Sequence, residues 1–156
     1  MFHIALYQPE IPPNTGNIIR LCANTGSQLH IIQPASFTLD DKQLRRAGLD
    51  YHEYAKIVAH ESYADFRKSI GNARLFALST KGKQAYHQTE FRDGDVFLFG
   101  PETRGLPPEI RQELAPERVL YLPMCAESRS LNLANTAAVV VYEALRQTDF
   151  NALHQP

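Results

Sequence analysis

Residues 119–145 read VLYLPMCAESRSLNLANTAAVVVYEAL and divide into a strand, a polar hinge and a helix of unusual composition. Val119, Leu120, Tyr121 and Leu122 favour a strand, and Pro123 ends its ladder because it has no N–H to donate. From Leu131 the spacing turns helical, with Leu131, Ala134, Ala138, Val141, Tyr142 and Leu145 recurring at three- and four-residue steps. The apolar arc covers more than half the circumference and leaves Asn132, Asn135, Thr136 and Glu143 on the remainder, so this helix buries more than one face. Ala134, Ala137 and Ala138 let another backbone approach closely, which suits packing on the chain's own sheet and on a partner subunit together. Ser128, Ser130 and Asn132 gather where the helix begins, where side-chain oxygens cap it and free N–H groups attract electron-rich ligand atoms. An ordinary capped core helix accounts for this stretch as well as a site does, so the rest of the chain has to decide.

Upstream, residues 2–7 form the first expected strand, and the prolines and Gly16 of QPEIPPNTGN make a rigid turn. Asn14 is the expected cap of a helix running to about Asn24. On it Asn17, Arg20 and Asn24 share one narrow polar stripe, aimed at a pocket or an interface; an arginine satisfying a core or dimer contact is the rival reading. Further strands are expected at 29–33, 54–58, 74–79 and 95–99, the less hydrophobic one at 54–58 nearer an edge, and helices at 39–47, 61–70 and 107–114. With the strand at 119, this alternation predicts an α/β fold: a mainly parallel six-stranded sheet with helices on both faces. Residues 1–156 read as one domain, with 148–156 a frayed tail.

Composition narrows the class. Hydrophobic residues make up 44% of the chain, yet no apolar run approaches the roughly 18 residues of a membrane span. Residues 1–7 are too short for a signal peptide, and Cys22 and Cys125 stand apart from any CxxC pair, so a reducing cytoplasm is the expected location. A formal charge of -1 argues against a general polyanion binder and against DNA. It leaves room for local patches such as Lys42, Arg45 and Arg46, or Lys81, Lys83 and Arg104, although charge runs are more often solvated faces.

In open parallel sheets, ligands bind beyond the carboxyl ends of the strands. Those ends pass here into residues 78–82, 99–105 and 122–124, loops of small or polar residues with Leu78 and Leu122 as apolar walls for a flat ring. No GxGxxG, Walker loop or GxSxG occurs, and six histidines lack metal-ligand spacing. Dinucleotide, nucleoside triphosphate, esterase and metal chemistry all lose weight.

Three blocks then carry a resemblance: PEIPPNTGNIIR (9–20), LFGPETRGLP (98–107) and LPMCAESRSLNLANTAAVVVYE (122–143). Together they resemble the three motifs of the SPOUT superfamily of RNA methyltransferases. With RRAGLDYHEY (45–54) between them, the chain is similar over nearly its whole length to the minimal, TrmL-type branch. That resemblance implies a C-terminal trefoil knot, a homodimer with Val139 and Tyr142 near its interface, and S-adenosylmethionine as cofactor without a metal. It implies methyl transfer to the ribose 2'-hydroxyl of the wobble nucleotide, cytidine or a modified uridine, in the anticodon stem-loop of tRNA, leucine tRNAs foremost.

By motif position, Leu78, Gly100, Leu122 and Ser130 are expected to contact the donor, with Glu102, Gly105 and Leu131 close by. Glu102 has a rival role as a capping carboxylate near a short helix. Arg20 is the family's candidate for activating the hydroxyl, while Asn17, Ser130 and Asn132 orient ribose and donor. Arg45, Arg46, Lys81 and Arg129 are the expected phosphate contacts. The alternatives are a non-catalytic knotted RNA-binding protein, a flavodoxin-like small-ligand enzyme, and a related methyltransferase acting on a base or on another RNA.

Overall fold

The computed structural model describes residues 1–38, 40–46, 48–50 and 56–156. In chain order come β1 (His3–Tyr7), α1 (Pro12–Thr25), β2 (Gln28–Ile32), α2 (Asp41–Arg46), β3 (Ile57–His60), α3 (Tyr63–Ile70) and β4 (Leu75–Leu78). Then follow β5 (Gln84–Ala85), β6 (Val96–Phe99), α4 (Pro108–Glu113), β7 (Val119–Tyr121) and α5 (Leu133–Gln147).

The strands make one parallel sheet in the order β3-β2-β1-β6-β4-β7-β5, seven strands where six were expected. The additional one, β5, is two residues long and leaves no periodic trace in the sequence; it exists because Gln84 and Ala85 find Leu120 and Tyr121 beside them. β3 ends the sheet, as its weaker hydrophobicity implied, but it lies at Ile57–His60; residues 54 and 55 of the expected strand fall outside the described residues. So do Leu39 and Ala47 at the ends of the expected basic helix.

Helices cover both faces. On one, α1 contributes Ile18, Ile19 and Cys22, and α5 contributes Ala137, Val140, Val141 and Ala144, against Ile4, Leu6, Ile31, Phe97 and Leu120. On the other, Phe66 of α3 and Ile110 of α4 pack on Ala5, Ile32, Ala77 and Leu98. Strands buried on both sides need continuous apolar runs, which is why 75–78 and 96–99 read LFAL and VFLF. Burial pushes the Cys22 thiol up to about 12, leaving it a core group rather than a nucleophile.

Two helix starts differ from expectation. α1 begins at Pro12, with Ile11 rather than Asn14 in the cap position and no local side chain capping it. Proline presets the helical φ and lacks an N–H that would otherwise be orphaned, so the rigid turn is itself the first turn. Asn14 is buried and accepts a hydrogen bond from Asn132 Nδ2 at 3.0 Å. α5 starts at Leu133, two residues late, because Asn132 Oδ1 accepts from Asn135 N at 3.1 Å and caps it. Residues 148–156 are less frayed than expected: Phe150 and Leu153 pack on the core, and the Thr148 hydroxyl donates to the Ala144 carbonyl at 3.2 Å.

Three histidines meet across the α3 face. His3 Nδ1 lies 3.0 Å from His30 Nε2, and His30 Nδ1 lies 2.9 Å from His60 Nε2, with Phe66 edge-on to both His30 and His60. Each contact needs one donor and one acceptor, which neutral rings supply when their tautomers alternate along the row. Among the described residues, no group of three or more His, Cys, Asp or Glu side chains has metal-holding geometry, and no helix is long and apolar enough to cross a membrane.

Candidate active site

A cavity of about 320 Å³ opens beyond the carboxyl ends of β4, β6 and β7. Its wall includes Leu78, Gly100, Glu102, Gly105, Leu122, Ser130 and Leu131, so the residues expected around the donor share one cavity. Thr80, Thr103, Met124, Arg129 and Thr136 also line it.

The loop after β6 is folded tightly. The Gly105 N–H donates to the Pro101 carbonyl at 2.9 Å, and Gly105 adopts φ +69°, which a side chain rarely tolerates. A Cβ on Gly100 would lie 2.5 Å from the Gly105 carbonyl carbon and press on the Leu106 amide nitrogen. The loop after β4 is laced to β7: Ser79 N donates to the Leu120 carbonyl at 2.9 Å and Lys83 N to the Val119 carbonyl at 3.2 Å. A Cβ on Gly82 would meet the Leu120 carbonyl at 2.6 Å from its carbon, so this loop tolerates nothing larger. These backbone approaches hold two cavity walls fixed, and the third is the exposed hinge, residues 123–130.

Glu102 caps a helix, but α1 rather than the nearby short α4. Its carboxylate accepts from Glu10 N at 3.1 Å and Ile11 N at 2.5 Å, supplying the cap that α1 lacks locally. Burial raises the Glu102 pKa above the ordinary carboxylate value, and the two backbone donors counter part of that. Asn132, expected to orient ribose and donor, has its amide engaged within the chain by Asn14 and by the start of α5.

Arg20 and Asn17 are exposed on α1 and do not line the cavity. The Arg20 guanidinium donates to the Gly48 carbonyl, and Gly48 N donates to the Arg45 carbonyl at 3.0 Å. Arg20 is thereby set beside the basic end of α2, where Arg45 and Arg46 are exposed. Lys81 is exposed in the loop after β4. Val139 and Tyr142 are 39% and 46% exposed on α5, next to buried Val140 and Val141.

Glu10 escaped the sequence reading, which inspected the ends of the later strands and passed over the loop after the first. Applied there, the same strand-end rule points to its one charged side chain, set between Pro9 and Pro12.

The cavity suits a nucleoside with a charged tail. Its volume falls within the roughly 300–1,000 Å³ of small-ligand sites, and leucine walls alternate with backbone polar groups.

The comparisons agree with this geometry. The sequence is 60% identical over 150 residues to the tRNA (cytidine(34)-2'-O)-methyltransferase of Methylovorus glucosotrophus, covering 96% of this chain and 97% of that one. A solved structure that gives insight into 2-OH methylation of C/U34 on tRNA superposes with a TM-score of 0.89 at 44% identity, over 97% of this chain and 98% of that one. The AviRb methyltransferase of Streptomyces viridochromogenes, solved with AdoMet, gives a TM-score of 0.79 at 26% identity, over 94% of this chain and 57% of that one. The profile of the SpoU rRNA methylase family matches residues 1–142, and the chain belongs to that family.

Proposed function

We propose that the protein is a cytoplasmic homodimer that transfers the methyl group of S-adenosylmethionine to the ribose 2'-hydroxyl of tRNA nucleotide 34, a cytidine or modified uridine. The observation that carries this reading is the meeting of residues from β4, β6 and the segment after β7 around one cavity, in a chain so close to a cytidine-34 methyltransferase. Leu78 and Leu122 would offer apolar walls to the adenine, the backbone of residues 100–105 would hydrogen-bond the donor, and Ser130 and Leu131 would contact it. In this reading α5 reaches its place by threading back through a loop, which makes the chain a trefoil knot.

When bound, S-adenosylmethionine supplies a methyl group already activated by its sulfonium, so no metal is needed. The protein must hold the hydroxyl oxygen roughly 3 Å from that carbon and help remove the proton. An arginine stays protonated in proteins, so Arg20 acts by stabilising the developing alkoxide or by pinning a phosphate that accepts the proton. Assistance of this kind is typically worth about 10²- to 10⁴-fold. Asn17 and Ser130 orient the ribose, and Asn132 acts at one remove by positioning Asn14 and α5. Arg45, Arg46, Lys81 and Arg129 contact phosphates of the anticodon stem-loop.

Arg20 lies outside the cavity wall of its own chain, and Val139 and Tyr142 offer an apolar ridge for a second copy; both support Arg20 serving the partner's pocket. Incubation with methyl-labelled donor and tRNA from cells lacking the gene, followed by nucleoside analysis, tests the reaction. A labelled 2'-O-methylpyrimidine from position 34 is expected; label on a base refutes the chemistry. Mixing Arg20→Ala with Gly100→Val chains tests sharing: activity reappears in the heterodimer, whereas a silent mixture places both functions in one subunit.

A further inference from the structure

Two glutamates exchange hydrogen bonds across the loops after β1 and β6. Glu102 accepts from the amides of Glu10 and Ile11, as described. In return Glu10 Oε1 accepts from Thr103 N at 3.0 Å and Thr103 Oγ1 at 2.8 Å, and its Oε2 lies 3.7 Å from Arg104 Nε. Each side chain thus satisfies the backbone beside the other, as a capping box does within one helix, but between segments 92 residues apart. The exchanged hydrogen bonds favour the charged form of both carboxylates, but burial acts more strongly on Glu102. The Thr103 hydrogen bonds hold Glu10 below its ordinary pKa, while burial raises that of Glu102.

What the exchange joins is informative. Thr103 and Arg104 form part of the cavity wall, and Glu10 lies two residues before α1, which carries Asn17 and Arg20. Pro12 and Pro13 stiffen the connection, so a shift of Glu10 is passed to the helix.

We propose that Glu10 is a positioning residue for methyl transfer, keying the wall of the donor pocket to the helix that bears the catalytic arginine. The inference rests on the donor-pocket reading given above. Donor contacts to residues 101–105 then fix the start of α1, and Arg20 is held in register with an occupied pocket. If Arg20 serves the partner, the same link couples donor binding in one subunit to chemistry in the other.

The test compares wild-type protein with Glu10→Ala, Glu10→Gln and Thr103→Val in three measurements: calorimetric titration with S-adenosylmethionine, initial rates on tRNA, and thermal melting. Glu10→Ala is expected to weaken donor binding and lower kcat, each by about tenfold, with the KM for tRNA unchanged, because a misplaced loop and helix lose near-attack geometry. Glu10→Gln keeps an oxygen facing the Thr103 amide and restores most of both. Thr103→Val removes the hydroxyl bond alone and falls between. Equal losses in Glu10→Ala and Glu10→Gln, tracking only a lower Tm, indicate general stabilisation and overturn the proposal; so do wild-type donor affinity and kcat in Glu10→Ala. Should Glu10→Ala fail to fold, an unaltered Thr103→Val overturns it. Wild-type protein that binds no donor overturns both this inference and the reading beneath it, whereas donor binding unaffected by the variants removes the inference alone.

Discussion

Polar side chains are satisfied in different ways on the α3 face of the sheet and beside the carboxyl ends of β4, β6 and β7. On the α3 face, His3, His30 and His60 hydrogen-bond in a row beside the Phe66 ring, and the row stays within three neighbouring strands. Beside the cavity, Glu10, Glu102, Asn14 and Asn132 are satisfied by segments far away in sequence, and Glu102 is part of the wall of the open space. A closed network secures a fold, while one that spans loops fixes those loops around a ligand. The two regions should therefore fail differently when perturbed.

The largest difference is expected on acidification. Burial depresses His30 from its ordinary 6.5 to about 4, and His3 and His60 shift the same way, with the Met1 amino group adding to the effect at His3 and Asp65 opposing it at His60. Above pH 6.5 both folded and unfolded His30 are neutral. As pH falls toward 4 the unfolded chain takes up the proton first, so stability is lost, on the order of 3 kcal/mol from His30 alone. Urea melts at pH 7 and pH 4.5 should show this loss in the wild type and a flatter response in His30→Leu, with neutral-pH donor affinity unchanged. Equal slopes in the two proteins would break the comparison.

Gly100→Ala is the converse. Its added Cβ presses on the Gly105 and Leu106 backbone, so donor affinity should fall at least about tenfold, with an overpacking cost of about 1–3 kcal/mol. Direct titration decides it, and unchanged affinity would remove the loop from the pocket. The smallest effect belongs to Lys81→Ala. An exposed charge is worth about 0.2–1 kcal/mol, so the KM for tRNA should rise by a few-fold with donor affinity intact. No change would take Lys81 off the RNA surface.

The alternation of strands and helices was legible because each element is long enough to show its period, and the strand-end rule then pointed to loops that line one cavity. β5 was not legible, since two residues have no period. Asn14 misled because capping preference is local, whereas its partner, Asn132, lies 118 residues on. Glu10 was within reach of the strand-end rule applied after β1, but its partner Thr103, 93 residues on, was not. The residues that share the cavity could be named from motif position, but the separation of Arg20 from the cavity of its own chain shows only in three dimensions.

The borrowed cap of α1 also has a consequence for the order in which the protein is made. Within this sequence α1 precedes every other helix, yet the carboxylate that completes its start lies 92 residues downstream, and Asn14 waits still longer for Asn132. At about 5–20 residues per second, the first helix spends roughly 5–20 s without its cap during synthesis. The part of α1 that packs on α5 gains that partner only once residues 133–147 have been made.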